Sequence, residues 1–316
     1  MIKKMTLKKL LVTSSTLLAL FLICLMPSNE VSLKQELSYV DKEVKLEDIY
    51  LLNNEDLLTM VDVKVDYDEY DVESLSKQLV EYLKLDGKYI NNIPGDFKPY
   101  INKDANLSSV TFTGDTLKVE FDNDIFVDNN EIKILEGLVY TLTSIKGVNN
   151  IIIYCKGEVL TYLPKSKTVL PSMLNRNIGI NKIYDITSYN DVKSVNVYYV
   201  SNHNDDYFYV PVTKYVNDKR EKIDIIIDEL TSSKSFNGNL MSFLDEQTKL
   251  ISYSYIDDKF DLNFNEYILS DVNEESILEE VTNVINLSIK DSYDINEIIY
   301  SVDNNEVYSK KYITNK

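Results

Sequence analysis

The side chains best suited to chemistry are few and scattered along this chain. His203 is its one histidine and lies in the polar run Ser201-Asn202-His203-Asn204-Asp205-Asp206, which reads as a solvated turn. That excludes any histidine-based triad and any multi-histidine metal site. The acidic run Asp66-Tyr67-Asp68-Glu69-Tyr70-Asp71 resembles the start of a calcium loop, but the sixth position is Asp71 where an EF-hand needs glycine, and the twelfth is Lys77 where it needs glutamate. Asp122 and Asp124 fail as a calcium pair because Phe126 takes the next ligand position. Eight glycines are spread singly, with no G-x-G-x-x-G and no P-loop to cradle a nucleotide phosphate.

Paired carboxylates can hydrolyse glycosidic bonds, and 51 acids are present. No pair recurs with a pocket-like pattern, so a carboxylate-based wall hydrolase is a remote alternative. Cys155 reads as a small buried hydrophobe in a strand, and the only other cysteine, Cys24, lies in an apolar N-terminal run, so no internal disulfide is expected. The 24 tyrosines with no tryptophan fit an AT-rich coding bias and carry no assigned role. The expectation is a non-enzymatic chain with no catalytic, cofactor-binding or metal residue, no cofactor and no small-molecule substrate.

The elements around these residues repeat. Leu107–Glu136 aligns with Leu250–Glu279 without a gap, so that Leu117-Lys118-Val119-Glu120-Phe121 overlies Phe260-Asp261-Leu262-Asn263-Phe264 and Ile134-Leu135-Glu136 overlies Ile277-Leu278-Glu279. Ser144-Ile145-Lys146 matches Ser288-Ile289-Lys290, and Val148–Ile152 matches Ile295–Ile299. Earlier, Ile49-Tyr50-Leu51-Leu52 pairs with Val197-Tyr198-Tyr199-Val200, and Leu58–Val65 with Tyr207–Val216. A duplicated pattern sets the architecture before any motif does.

Each copy reads strand, strand, helix, strand, strand, helix, strand. The fold class is α+β: two tandem copies of a β-β-α-β-β-α-β module with helices packed on a mixed sheet, preceded by an N-terminal membrane helix. Apolar stripes mark the helices: Val72, Leu75, Leu79 and Leu83 after Asp71; Leu135, Leu138, Leu142 and Ile145; Ile223, Ile226, Ile227 and Leu230; and Ile277, Val281, Val284 and Ile285. Asp218 with Glu221, and Asp271 with Glu274, read as capping boxes. The segments are an anchor or signal at 1–27, a stalk at 28–45, modules at 46–161 and 194–310, a linker at 162–193 and a tail at 311–316.

Lys3, Lys4, Lys8 and Lys9 precede the charge-free run Leu10–Met26, which is long enough to cross a bilayer at the lower limit. The positive-inside rule keeps those lysines cytoplasmic and sends the rest across. An uncleaved anchor is the leading reading; lipidation at Cys24 and full cleavage are the alternatives. The formal charge of −18 becomes −22 without the four lysines, a surface ill matched to nucleic acid or anionic lipid.

The repeated unit resembles the GerMN domain of sporulation and spore-germination proteins. The likeness rests on Val197–Val200, Val210-Pro211-Val212, the Ile223–Leu230 helix, the Leu262–Phe264 strand and the linker string Leu174-Asn175-Arg176-Asn177-Ile178-Gly179-Ile180-Asn181. It departs around Ser232-Ser233 and Leu244-Asp245, where that family usually has Gly-Pro and Leu-Pro. The resemblance implies a role in endospore formation: an envelope scaffold between the mother-cell and forespore membranes that supports a channel complex, with sporulation membrane-channel proteins or self-association into a ring as partners. A binding module of an envelope signalling system is the alternative.

Overall fold

The structure is a computed structural model that describes residues 45–312 apart from 68–69, 128–129, 205, 233–238, 272 and 274. In the first module, β1 (Lys45–Leu52) and β2 (Leu58–Val65) form an antiparallel hairpin. Asn53 shapes its turn by accepting from the N–H groups of Glu55 and Leu57, both at 2.9 Å. Helix α1 (Val72–Leu83) starts at Asp71, whose carboxylate accepts from Ser74 N at 3.1 Å, and its stripe Val72, Leu75, Leu79 and Leu83 is buried. Hairpin β3 (Leu107–Thr113) and β4 (Thr116–Phe121) follows, then α2 (Glu131–Leu142), β5 (Asn150–Cys155) and the short β6 (Glu158–Val159). Strands β4 and β5 are parallel, and α2 is the crossover that parallel neighbours require. Gly137 lets α2 press onto the core, since a Cβ there would sit 2.1 Å from the Tyr100 hydroxyl.

Strand β7 (Ile183–Asp185) lies in the linker. The second module repeats the order with one added short strand, β10: β8 (Val192–His203), β9 (Asp206–Asn217), α3 (Lys222–Thr231), β10 (Leu240–Met241), β11 (Leu250–Ile256), β12 (Lys259–Phe264), α4 (Glu279–Lys290), β13 (Glu297–Val302) and β14 (Asn305–Lys311). Each module thus ends on one strand more than the expected pattern.

The sheets depart further from expectation. The strands of a module do not share one mixed sheet: β3-β4-β5-β6 and β11-β12-β13-β14 are separate mixed sheets, while the two leading hairpins join as β1-β2-β9-β8-β10 with β7 beside β9. Helices α1 and α2 pack on β1, and α3 and α4 on β8. They are sandwiched because β4 buries Leu117, Val119 and Phe121, and β12 buries Phe260, Leu262 and Phe264, so the outer sheets need cover on the same side. Each fully buried side chain of this size contributes about 1.5–3 kcal/mol. Two cores result, one per module; Leu163, Leu174 and Ile180 of the linker join the first, and Leu57 of the first module joins the second.

The repeat holds with one change of register. Strands β3 and β4 lead β11 and β12 by 143 residues (Thr116 to Lys259). Equivalent positions within α2 and α4 are offset by 147, because Thr141 and Ser288 play the same part, accepting from Tyr50 N at 3.0 Å and Tyr198 N at 2.9 Å. Ile134-Leu135-Glu136 therefore does not overlie Ile277-Leu278-Glu279, and Ser288 answers to Thr141 rather than to Ser144. The extra residues are taken up before α4, where Asp271 bridges Ser276.

The same insertion corrects the second capping box. Asp271 accepts from Asn273 N at 2.8 Å in a tight turn, α4 starts at Glu279 behind Leu278 with no side-chain cap, and Glu274 lies outside the described residues. The first box fails for another reason. Asp218 accepts from Arg220 N at 2.9 Å and pairs with its guanidinium at 2.8 Å, which leaves Glu221 as the N-cap residue with no side-chain bond. The expected anchor at 1–27 and stalk up to 44 also fall outside the described residues, among which no helix is long and apolar enough to cross a membrane.

Candidate functional site: the junction between the modules

Strands β2 and β9 meet at one register pair, Met60 and Tyr209. Beyond it the edge of β9 is taken over by the linker: Thr213 N donates to Ile180 O at 2.8 Å, and β7 runs parallel to β9 from Ile183. Asn181 fills the gap between the two stretches. Its Oδ1 accepts from Leu58 N at 3.0 Å, and its Nδ2 donates to Leu58 O and Pro211 O, each at 2.8 Å. One buried amide thus completes the ladder between the modules, as buried backbone groups require. The chain reaches this position through Gly179 at φ +74°, where a Cβ would meet Tyr215, Lys182 and Thr213 at 3.1–3.2 Å. Asn181 itself adopts φ +46°, a left-handed conformation that asparagine tolerates.

Arg176 supplies the second lock. It heads a 3-10 turn, Arg176–Ile178, capped by Asn175, which accepts from Asn177 N. Its guanidinium donates to Thr143 Oγ1 at 3.0 Å and Tyr140 O at 3.3 Å in the first module, and pairs with Asp291 and reaches Tyr198 Oη at 3.4 Å in the second. It also lies over the Tyr140 and Tyr50 rings at 4.8 and 5.8 Å, where the ring faces favour a cation. Asp291, with a side chain 6% exposed, accepts further from Tyr198 Oη at 3.0 Å and Asn196 Nδ2 at 3.2 Å. The Tyr50 and Tyr198 hydroxyls, equivalent in the two copies, meet at 3.2 Å. Burial pushes the Tyr50 phenol up to about 12 and raises Tyr140 and Tyr198 further, with the Asp291 charge adding to each. All three stay protonated and keep their donors.

The linker is held at its start as well. Glu131, at the N-terminus of α2, accepts from Lys165 N at 2.5 Å and Ser166 N at 2.9 Å. Against the pull of burial, those N–H groups hold its carboxyl below the usual carboxylate range.

A cleft of about 270 Å³ opens beside this network, lined by Asp48, Thr143, Arg176, Lys290, Asp291 and Tyr293. Arg176 and Asp291 spend their polar atoms on one another and on their neighbours, so the arrangement coheres the modules rather than offering a free fork to a substrate. Asp48 differs. It stands opposite Asp62 across the β1–β2 hairpin, and burial, the hydrogen bond to Asp62 and the Asp62 charge together push its carboxyl up to about 7. The folded state holds this proton more tightly than the unfolded chain, so stability from it is complete below about 3.8 and is lost as pH rises to about 7. Asp48→Asn is expected to stabilise the protein by about 1–2 kcal/mol at pH 8, below the ~4 kcal/mol of an unrelaxed site because the side chain is half-buried. At pH 4 it should have little effect. Urea unfolding midpoints at the two pH values measure the difference.

The Germane domain, described as "Sporulation and spore germination", matches residues 48–161, the first module as built above. The chain is 28% identical over 240 residues to "Spore germination protein GerM" of Bacillus subtilis (strain 168), covering 73% of this chain and 65% of that protein. The solved tandem GerMN domains of the sporulation protein GerM from Bacillus subtilis superimpose with a TM-score of 0.74 at 24% identity, over 83% of this chain and 92% of that one. The chain is GerM-like. Its match spans just under two thirds of the GerM relative's length, and at this identity the solved structure speaks for the fold alone. In this GerM-like chain each part of the linker string Leu174–Asn181 makes a contact or a turn. Leu174 bridges Ile151, Arg176 ties Tyr140 to Asp291, Gly179 turns the backbone and Asn181 joins the hairpins.

The residues singled out from sequence take other places. His203 is not in a solvated turn. It ends β8 with a side chain 13% exposed, its ring 5.2 Å from Phe97 and 5.8 Å from Phe208. It also meets the residue types of a triad, with Nε2 at 3.0 Å from Ser201 Oγ and Nδ1 at 4.0 Å from Asp96. Ser201 is 3% exposed, and 4.0 Å is beyond hydrogen-bond reach, so the set pins the Asp96–Phe97 loop of the first module to the second instead of presenting a nucleophile. The signal missed was the spacing Ser201-x-His203, which puts both side chains on one face of a strand. Cys155 ends β5 half-buried, with burial raising its thiol to about 11. Asp122 caps the Asn106 backbone N–H at 2.8 Å, and Asp124 caps that of Phe126 at 3.1 Å. Among the described residues no group of three or more acidic, histidine or cysteine side chains is placed to hold a metal.

Proposed function

We propose that this GerM-like chain is a non-enzymatic assembly protein of the endospore envelope, anchored by its N-terminal segment with both modules outside the cytoplasm, and that it supports a channel complex between mother cell and forespore. Its likeness to a spore germination protein supports the setting. The observation that carries the mechanical reading is the junction. Arg176, Asn181 and the shared sheet fix the two modules to each other, so the outer sheets β3–β6 and β11–β14 are presented in a set relation. A rigid body with two fixed faces can close into a ring by head-to-tail contact if the rotation permits.

A strain lacking the gene is expected to form many fewer heat-resistant spores, with recovery on return of the full-length chain and none on return of a version lacking residues 1–27. Spore numbers and germination rates equal to the parent strain would remove the role.

A further inference from the structure

Strand β11 closes one edge of the second module's outer sheet. It pairs with β12 and, among the described residues, with no other strand. Its sequence Leu250-Ile251-Ser252-Tyr253-Ser254-Tyr255-Ile256 holds no charge and no proline, and six of its seven residues are exposed. Ile251 and Ile256 are 61% and 67% exposed. Sheet edges are normally blunted by charges, proline or a covering element, because unpaired N–H and C=O groups template another strand. Among the described residues the only such device is a bulge at the start, between Leu250 and Ser252.

The equivalent edge of the first module is closed. Strand β3 carries Val110 buried at 7%, α1 packs along it, and Glu73 of α1 meets the Phe112 N–H at 3.4 Å. Helix α3, with 10 residues against 12 in α1, packs on β8 and α4. One fold therefore carries the same edge twice, covered along its length by a helix in one copy and, among the described residues, paired with no further strand in the other.

Charge identifies the occupant. Partial burial holds the Tyr253 hydroxyl above the ordinary phenol range, and the Asp224 and Glu221 carboxylates add to it. The Tyr255 hydroxyl lies 3.4 Å from Asp258 Oδ1 and donates to Asp294 O at 2.6 Å, and burial and then the Asp258 and Asp294 charges raise it. Acids thus stand by both tyrosines of the strand, while Lys259, in the neighbouring strand, pairs with Glu297 at 3.6 Å. A second copy, carrying the same acids and a net charge of −18, would be repelled here.

We propose that β11 is a docking edge for an extended segment of a partner protein that places apolar residues at alternate positions and lysine or arginine at its ends. Main-chain hydrogen bonds would supply affinity, the Ile251, Tyr253 and Tyr255 side chains would read the apolar positions, and Ile256 would add apolar contact at the end of the strand. The proposal rests on the assembly reading and names what the β11 edge receives, leaving the sheet faces to contacts between copies.

The test uses the full chain in detergent micelles and a fluorescein-labelled peptide, Lys-Lys-Val-Thr-Val-Thr-Val-Lys-Lys, followed by anisotropy and by amide hydrogen exchange. Binding is expected, with exchange slowed across 250–256, affinity falling about tenfold or more in the Ile251→Lys/Ile256→Lys variant, and no binding of the same peptide with glutamate ends. Both isoleucines are exposed, so the variant should keep its unfolding midpoint. If it does not, the exchange pattern of the unaltered protein decides alone. Four results overturn the proposal: equal binding by a folded variant, protection elsewhere than 250–256, protection that appears with protein concentration alone and so marks a second copy, or protection already present before peptide is added and so marks the chain's own residues. Any of these leaves the assembly role to stand or fall on the spore counts.

Discussion

Replacing Arg176 with methionine lowers stability by about 3–5 kcal/mol, the cost of leaving a buried ion's partner uncompensated, and splits one unfolding transition into two. Asp291, 6% exposed, would keep the Tyr198 and Asn196 donors but lose its cation, while Thr143 and Tyr140 O lose theirs. The damage falls between two separate cores, so each module keeps its own packing and only their coupling weakens. Calorimetry reads this as a second peak. Arg176→Lys should recover little, since one ammonium cannot reach Thr143, Tyr140 O, Tyr198 and Asp291 together as a planar fork does. The double variant Arg176→Met/Asp291→Asn should recover part of the loss by removing the stranded charge. A single unshifted transition in Arg176→Met would show that the shared sheet alone couples the modules.

Asn181→Ala is expected to cost about 3–5 kcal/mol, because it strands the Leu58 N–H, the Leu58 carbonyl and the Pro211 carbonyl in a buried position, at about 1–3 kcal/mol each. Alanine also fits the φ of +46° less well than asparagine does. Hydrogen exchange should rise first at Leu58 and along the seam of β2 and β9, ahead of the outer sheets, and the midpoint of urea unfolding should fall. Asn181→Asp keeps the acceptor for Leu58 N but loses both donors and adds a buried charge, so it should be no milder than alanine. Unchanged exchange at Leu58 would mean that water replaces the amide and the ladder does not depend on it.

Much of the fold was legible in the sequence because its signals are local. Apolar spacing placed α1, and Val72, Leu75, Leu79 and Leu83 are all buried. The alternation Leu117-Lys118-Val119-Glu120-Phe121 placed β4 with its apolar residues inward. The GerMN resemblance was legible for a related reason: Arg176, Gly179 and Asn181 of the string Leu174–Asn181 each fill a place that asks for that residue type.

Errors arose where a local pattern met a stronger competitor. Asp218 bonded Arg220 rather than a helix end, and Asp271 made its own turn ahead of α4. Both are short-range choices whose outcome depends on where the helix starts, and an ungapped repeat misplaced the equivalent helix positions by four residues, the difference between the offsets of 143 and 147.

What the sequence by itself determined is the repeated module, its helices and strands, and the faces they bury, since each follows from periodicities of two and 3.6 residues. Tertiary structure alone decided that the two leading hairpins leave their own modules for a common sheet, that Asn181 completes that sheet, that Arg176 finds Asp291 115 residues away, and that His203 meets Asp96 and Phe97 of the first module. These are meetings of side chains distant in sequence. Their partners are chosen by which buried polar groups remain unsatisfied once the cores have packed, and no local pattern records that.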